Sequence, residues 1–288
     1  MKVSELLKKK KTLSFEFFPP KTPESEVSLF QTIGELKSLN PDFVSVTYGA
    51  MGTTRDKTFD WVAKIKRDFG IEPVSHLTCI SATKDSIIHQ IETLKTIGIS
   101  NILGLRGDIP AGVDPKEILS HFEYAKDLIS FIKSKDPSFC LGAAAYPEGH
   151  ISNNHPLLEA KYLKIKEESG AEYAVTQLFF QNENFFKFLS LSKNEGVTIP
   201  IVPGIMIITS FGQIKRISET CGSNIPIKLL AKLEEHKTDN KAVYEIGVEF
   251  AIEQVQGLLD QGVDGLHFFV MNRANAVKDV LAGSTINF

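Results

Sequence analysis

The run Leu13-Ser14-Phe15-Glu16-Phe17-Phe18, stopped at once by Pro19 and Pro20, has the alternation of a β-strand with a carboxylate set into it. Successive strand side chains point to opposite faces, which puts Leu13, Phe15 and Phe17 on one side and Ser14 and Glu16 on the other. Glu16 therefore projects from a rigid strand close to its C-terminal end. A carboxylate there belongs either to a solvated edge or to a cleft that uses it, because burying an unpaired charge is costly or raises its pKa. The rest of the chain bears on that choice.

Further short β-type runs alternate with amphipathic stretches from end to end. Strands are expected at Thr12 to Phe18, Phe43 to Tyr48, Pro73 to Ile80, Asn101 to Arg106, Cys140 to Tyr146, Tyr173 to Phe180, Ile199 to Met206 and Gly265 to Met271. Between them lie helical stripes such as Val27, Phe30, Ile33, Leu36 and Leu39, or Ile87, Ile91, Leu94 and Ile97, which read as core. Eight strands with intervening helices predict an α/β fold, a single (β/α)8 TIM-type barrel over residues 1–288. Extra helices between strands seven and eight are expected over Ser210 to Cys221, Pro226 to His236 and Lys241 to Leu259, with ends marked by Gly222 and Thr238-Asp239-Asn240. A two-domain doubly wound fold is the alternative, but no break in composition supports it.

The 288 residues are 42% hydrophobic and 23% charged, as in a folded protein. A net charge of −3 with both signs scattered favours small-molecule chemistry over a nucleic-acid groove or an anionic membrane. Cys79, Cys140 and Cys221 are far apart and outside any CxxC spacing, which fits a reducing cytoplasm and argues against disulfides or a zinc site. The start lacks the uninterrupted apolar core of a signal peptide, and Lys8 to Lys11 read as the solvated end of a short leading helix. The longest apolar stretch, Ile199 to Ile208, is broken by Pro200 and Pro203 and falls short of the about 20 residues of a membrane span. The apolar helix stripes are compatible with a homo-oligomer.

In such a barrel the active site lies at the C-terminal ends of the strands, and polar residues recur there. They are Glu16; Thr47 and Tyr48; His76 and Thr78; Arg106-Gly107-Asp108; Tyr146-Pro147-Glu148-Gly149-His150; Thr176 and Gln177; and Asn272-Arg273. Each has a structural reading: Arg106 and Asp108 as an ion pair, His76 as a hydrogen-bonded core histidine, Tyr48 and Tyr146 as packing. Gln177 is harder to dismiss, since a buried amide must find several hydrogen-bond partners. Separate structural needs would not place a polar group at one end of nearly every strand. Histidines in HxxxH spacing, a GxxxxGK[ST] loop, a GxGxxG after the first strand and a GxSxG are all missing. What remains suits a large planar cofactor and a planar substrate.

The strings themselves carry a resemblance. Ser14-Phe15-Glu16-Phe17-Phe18-Pro19-Pro20-Lys21, Val46-Thr47-Tyr48-Gly49-Ala50, His76-Leu77-Thr78-Cys79-Ile80, Leu105-Arg106-Gly107-Asp108, Tyr146-Pro147-Glu148 with His150, Thr176-Gln177-Leu178-Phe179-Phe180, Pro203-Gly204-Ile205 and Asn272-Arg273-Ala274 are similar to motifs of the methylenetetrahydrofolate reductases, in order, from about residue 12 to about residue 282. The resemblance implies a flavoenzyme that takes hydride from NADH or NADPH into FAD and passes it to 5,10-methylenetetrahydrofolate. The product, 5-methyltetrahydrofolate, feeds methionine synthesis and one-carbon metabolism. It also implies a ping-pong order, with both substrates using one flavin face, and, without the regulatory domain of the eukaryotic enzymes, no adenosylmethionine control.

By the same resemblance Glu16 is the general acid that lets the methylene bridge open by protonation at N10, a task for which a carboxyl in a partly apolar pocket is tuned upward in pKa. Asp108 is similar to the aspartate near flavin and pterin, an anion that favours a cationic iminium. Gln177 resembles the amide that meets both substrates, Phe211 the aromatic that stacks on them, and Arg273 a cation for the folate carboxylates. Thr47 and Glu16 also fall among the substrate contacts. FAD contacts implied are Thr47, Tyr48, Ala50, His76, Arg106, Gly107, Asp108, Tyr124, Ala125, Tyr146, His150, Glu159, Tyr162 and Lys166, with Arg106 and Lys166 as pyrophosphate partners. Glu159 stands where the family more often has aspartate, and Tyr162 where a smaller amide is common. Two other functions compete: a barrel lyase, which would need a Schiff-base lysine or metal set inside the barrel, and a non-catalytic folate- or flavin-binding subunit.

Overall fold

The structure is a computed structural model and describes residues 1–47, 55–109 and 120–285. Tyr48 and Ala50 lie outside the described residues. The strands are β1 (Thr12–Phe17), β2 (Phe43–Val46), β3 (Glu72–Thr78), β4 (Asn101–Leu105), β5 (Cys140–Ala145), β6 (Tyr173–Thr176), β7 (Ile201–Val202), β8 (Gly204–Met206) and β9 (Gly265–Phe269). All pair in parallel, in the order β7-β6-β5-β4-β3-β2-β1-β9-β8. This is the expected barrel, with one correction. The strand read as Ile199 to Met206 is divided at Pro203, which has no N–H to give to a ladder.

That division closes the barrel. β7 pairs with β6 through Ala174↔Ile201 and Val175↔Val202, whereas β8 pairs with β9 through Gly204↔His267 and Met206↔Phe269. The two halves of one run thus hydrogen-bond to opposite neighbours. The Pro203 carbonyl accepts from His267 N at 3.0 Å, and Gly204 N donates to Thr176 Oγ1 at 2.9 Å. A Cβ at Gly204 would run into the Thr176 carbonyl oxygen and the Phe269 ring, so only glycine fits this crossing.

Several strands end earlier than their apolar runs. β6 stops at Thr176 rather than Phe180 and β9 at Phe269 rather than Met271, which leaves Gln177 and Asn272 in the turns that follow. Hydrophobicity continues past the ladder because Leu178, Phe180, Met206 and Ile208 join a second core cluster with Ile214, Leu229, Leu233, Val243 and Ile246.

Helices surround the barrel: α1 (Val3–Leu7), α2 (Pro23–Leu36), α3 (Arg55–Lys64), α4 (Lys84–Thr96), α5 (Ala125–Lys135), α6 (Pro156–Glu168), α7 (Asn182–Asn194), α8 (Phe211–Cys221), α9 (Ile227–Glu235), α10 (Asn240–Asp260) and α11 (Ala274–Gly283). The three extra helices expected before the last strand are α8, α9 and α10. Gly222, at φ 71°, ends α8 in the left-handed region, and the Asp239 side chain caps α10 by accepting from Lys241 N and Ala242 N. Leu13, Phe15 and Phe17 pack outward with Leu29, Ile33 and Leu36 of α2. The inner floor is closed by α1, whose Val3 and Leu7 are buried with Phe43, Val74, Leu103 and Tyr173. Lys8 to Lys11 follow it as an exposed tail, as expected, with Lys10 paired to Asp42. No helix among the described residues is long and apolar enough to cross a membrane.

Candidate active site

Strand β1 turns Ser14 and Glu16 into the barrel, and Glu16 is only 8% exposed, which removes the solvated-edge reading. Its neighbours come from both flanking strands. Ser45 Oγ on β2 donates to Oε2 at 3.2 Å, and Thr47 Oγ1 lies 3.2 Å from both Oε1 and the Phe17 carbonyl. From β9, His267 Nε2 lies 3.3 Å from Oε2, and its Nδ1 lies 2.8 Å from Ser14 Oγ. His76 Nε2 on β3 sits 3.4 Å from the same Oε2, but out of hydrogen-bonding alignment.

Burial alone would raise the Glu16 pKa, but the electrostatic pull of His76, the hydrogen bond and charge of His267 and the Ser45 hydroxyl outweigh it and hold the carboxyl at about 2. This reverses the upward tuning expected from the sequence. His76 is itself pushed down by burial, against the pull of Glu16. The acid is anionic when no substrate is present.

A second group of polar residues spans the ends of β4, β5 and α6. Gly107, at φ 83°, turns the chain after β4, and a Cβ there would press on Ile80 and Thr78 at 2.7 and 3.0 Å. Arg106 and Asp108, on either side, are exposed and form no ion pair with each other, against the structural reading. Arg106 lies 5.8 Å from the Tyr124 ring. Tyr124, 47% exposed at the N-cap of α5 beside Ala125, has its pKa raised chiefly by the hydrogen bond and charge of Glu123, and Tyr162 is 41% exposed on α6. Behind them the Tyr146 ring meets His150 edge-on at 4.9 Å and lies 5.6 Å from Lys166 Nζ. Burial, then the charges of Glu159, Asp108 and Cys221, push Tyr146 up to about 12.

Lys166 Nζ donates to the Ala144 carbonyl at 2.8 Å, and burial pushes its pKa down while Glu159 pulls it up. Glu159, 4% exposed, accepts from Asn153 Nδ2 at 2.8 Å. Of the residues assigned to FAD, Arg106, Tyr124, Tyr146, His150, Glu159, Tyr162 and Lys166 lie around the ends of β4, β5 and α6, while Thr47 and His76 sit beside Glu16. Glu148 serves another purpose. It accepts from Asn184 at 2.9 Å and from Asn224 at 3.2 Å, tying the loop after β5 to α7 and to the segment after α8.

The remaining site residues come from β6, α8 and α11. Gln177 is half-buried, and its Oε1 accepts from Leu178 N at 2.8 Å, which leaves its Nε2 without a hydrogen-bond partner among the described residues. Phe211 is the first residue of α8, half-buried against the second cluster. Met271 and Asn272 adopt left-handed backbone, φ 51° and 56°, and deliver Arg273 to the N-cap of α11. Glu16, Asp108 and Gln177 share the mouth without touching one another among the described contacts. His267 was missed in the sequence. A lone histidine in Gly265-Leu266-His267-Phe268-Phe269 reads as core until the β1–β9 pairing sets it beside Ser14.

The structure is a parallel (β/α)8 barrel that gathers a buried acid, two imidazoles and a set of cations, amides and aromatic rings at the face where such barrels carry their active sites. The family model for methylenetetrahydrofolate reductase matches residues 2–285. Methylenetetrahydrofolate reductase 2 of Schizosaccharomyces pombe is 38% identical over 287 residues, covering 94% of this chain and 45% of its own length. The 5,10-methylenetetrahydrofolate reductase of Salmonella typhimurium is 37% identical over 262 residues, covering 91% of this chain and 86% of its own length. The chain thus belongs to the methylenetetrahydrofolate reductase family, and it spans about half the length of the fission yeast relatives it matches. In fold it is similar to a Clostridium thermocellum protein described as binding two copies of 5-methyl-5,6,7,8-tetrahydrofolic acid, with TM-score 0.67, 18% identity and coverage of 97% and 95% of the two chains.

Proposed function

We propose that this chain reduces 5,10-methylenetetrahydrofolate to 5-methyltetrahydrofolate with hydride from NADH or NADPH, using bound FAD. The observation that carries the reading is Glu16, a buried carboxylate on a rigid strand wired through His267 to Ser14. Binding alone has no use for such a wire. Family membership and the folate-binding fold neighbour support the substrate class.

The residues present fit FAD. Arg106 is exposed without an acid partner among the described residues, and Lys166 stands beside the Tyr146 ring. Arg106 and Lys166 would hold the pyrophosphate, with Tyr124, Tyr162 and Glu159 toward the adenosine end and His76, Thr47, Tyr146 and His150 toward the rings. When bound, FAD supplies the hydride chemistry, and the protein supplies position and electrostatics.

The chain's own contribution to folate reduction is the proton at N10. Ser14 Oγ lies 2.8 Å from His267 Nδ1 and 3.2 Å from the Leu266 carbonyl, so its single hydrogen has two acceptors. Pointed at Nδ1, it leaves His267 neutral with its proton on Nε2, facing Glu16. Turned to Leu266, it accepts from an Nδ1–H, so that a further proton taken up from water at the mouth on Nε2 makes an imidazolium that passes this proton to Glu16 and returns to the neutral ring. Glu16 delivers that proton to N10, the bridge opens to the N5 iminium, and the Asp108 anion favours that cation. Gln177, with Nε2 free, positions either substrate. Phe211 stacks on them, and Arg273 meets the folate carboxylates.

A cytoplasmic setting fits the three unpaired cysteines. The product is a methyl donor for methionine synthesis. The test is spectroscopic: the purified chain shows a flavin absorption band, bleached by reduced nicotinamide without oxygen and restored by methylenetetrahydrofolate. A protein that takes up no FAD, or whose bleached flavin ignores the folate, overturns the reading.

A further inference from the structure

Between Tyr146 and His150, in the loop after β5, stands an acid that the chemistry above does not use. Glu148 is half-buried, and all its hydrogen bonds come from asparagines. Its Oε1 accepts from Asn184 Nδ2 at 2.9 Å and from Asn224 Nδ2 at 3.2 Å, and its Oε2 accepts from Asn224 N at 3.2 Å. Three donors aimed at one carboxyl mark it as the carboxylate, which only accepts. Burial pushes its pKa above the ordinary value, against the pull of Asn224 and Asn184. No cation pairs with it among the described residues, so these N–H groups alone compensate the buried charge.

The two arms lead to different places. Asn184 belongs to α7, which carries no residue of the site. Asn224 belongs to the link between α8 and α9, and that link is fastened elsewhere as well. A Cβ at Gly222 would meet Ile151 at 3.4 Å, so the end of α8 lies against the loop after β5. Ser223 Oγ donates to the Leu178 carbonyl at 2.7 Å, and Leu178 N in turn donates to Gln177 Oε1. At the other end of α8, 11 residues away and so about 16 Å along the axis, stands Phe211. Buried Ile214 and Ser218 make the helix between them a packed arm.

We propose that Glu148 is a positioning residue: by holding Asn224 it fixes the far end of α8, and so sets Phe211 and Gln177 against the wall that Tyr146 and His150 form. The inference rests on the reductase reading, in which Phe211 and Gln177 meet both substrates. Glu148 acts through Asn224, since its carboxylate is already occupied. Because nicotinamide and folate take turns on one surface, loosening the arm should slow both half-reactions together, and small misplacements of a reacting pair are costly. A merely structural acid would make its two arms equivalent.

Three variants separate the arms. Asn224→Asp keeps the shape of an exposed side chain and sets a carboxylate against Glu148. Asn184→Ala cuts the arm to α7. Glu148→Gln combined with Asn224→Asp exchanges donor and acceptor, so that the new amide donates to the new carboxylate. Rapid mixing on the flavin-loaded proteins reads the limiting rates of flavin reduction by nicotinamide and of reoxidation by methylenetetrahydrofolate, and thermal melts report stability. In Asn224→Asp both limiting rates are expected to fall about tenfold, the order of one charge-assisted hydrogen bond. The double variant should recover most of that loss, the sign of a pairwise coupling. Asn184→Ala should lower the melting temperature and leave both limiting rates near those of the parent. Parent rates in Asn224→Asp overturn the inference, as does equal slowing in Asn184→Ala. So does a double variant that stays slow or does not keep its flavin. A parent chain whose reduced flavin ignores the folate defeats the reductase reading, and flavin reduction by nicotinamide then decides the inference by the same three comparisons. A parent that takes up no FAD defeats both.

Discussion

Replacing Glu16 with Gln keeps the shape of the side chain and removes its charge and its capacity to carry a proton. In the folded protein the carboxyl is held at about 2, against an ordinary 4.5. At about 1.4 kcal/mol for each pKa unit, that gap is worth about 3 kcal/mol to the anion. This is an upper bound, because burial pushes His76 toward its neutral form, in which its pull on Glu16 falls away. A folded-state pKa below the unfolded one adds stability that is fully present above pH 4.5 and is lost as pH falls through about 2. Glu16→Gln should therefore be less stable than the parent by up to about 3 kcal/mol at neutral pH, with the difference closing in acid. Urea unfolding at a series of pH values reads it through Trp61, the one tryptophan, which is 2% exposed. The same variant should leave reduction of bound FAD by nicotinamide nearly unchanged and slow folate reduction about 10²- to 10⁴-fold. A stability gap that does not change with pH refutes the electrostatic account, and equal losses in both half-reactions refute the general-acid assignment.

Ser14→Ala removes the hydroxyl that sets the His267 tautomer; folate reduction should slow about tenfold with an altered pH profile, while nicotinamide oxidation holds, as rapid-mixing kinetics across pH would show. Gly247→Ala and Gly34→Ala should have opposite signs. At Gly247 a Cβ would strike the Ile208 carbonyl and overpacking costs about 1–3 kcal/mol, more than the about 1 kcal/mol of helix propensity recovered; at Gly34, where the nearest atom is Phe69 Cε1 at 3.6 Å, the propensity gain stands alone. Thermal melts showing both variants shifted the same way would contradict this.

The barrel was legible in the sequence because each strand carries its own apolar run and each helix its own stripe. The mouth was legible because polar groups recur at the ends of those runs. Two features depend on pairings that no local stretch records. Pro203 inside Ile199–Met206 marked a strand that could not be continuous, but that its halves join β6 and β9 follows only from closing the sheet. His267 looks like any core histidine until β9 lies against β1. Its absence from the sequence reading also explains the error over Glu16: burial was foreseen, which raises a carboxyl, and the donors that lower it were not.

Barrel closure and assembly of the acid-base centre are one event. Ser14 aligns with His267 and Glu16 with Phe269 because β1 pairs with β9 in that register, and β9 is held on its other side by Gly204↔His267. A slip of one residue along β1 would turn Glu16 toward the helices and bring Phe15 or Phe17 inside. Both phenylalanines are fully buried against α2 and its neighbours, and burying each is worth roughly 1.5–3 kcal/mol. The apolar face of the strand thus fixes the position of the polar one. Substitutions at Phe15 or Phe17, though they face away from the mouth, should therefore loosen the Glu16–His267 contact before they unfold the chain. Folate reduction would then fall ahead of nicotinamide oxidation, while an equal decline in the two half-reactions would uncouple the register from the chemistry.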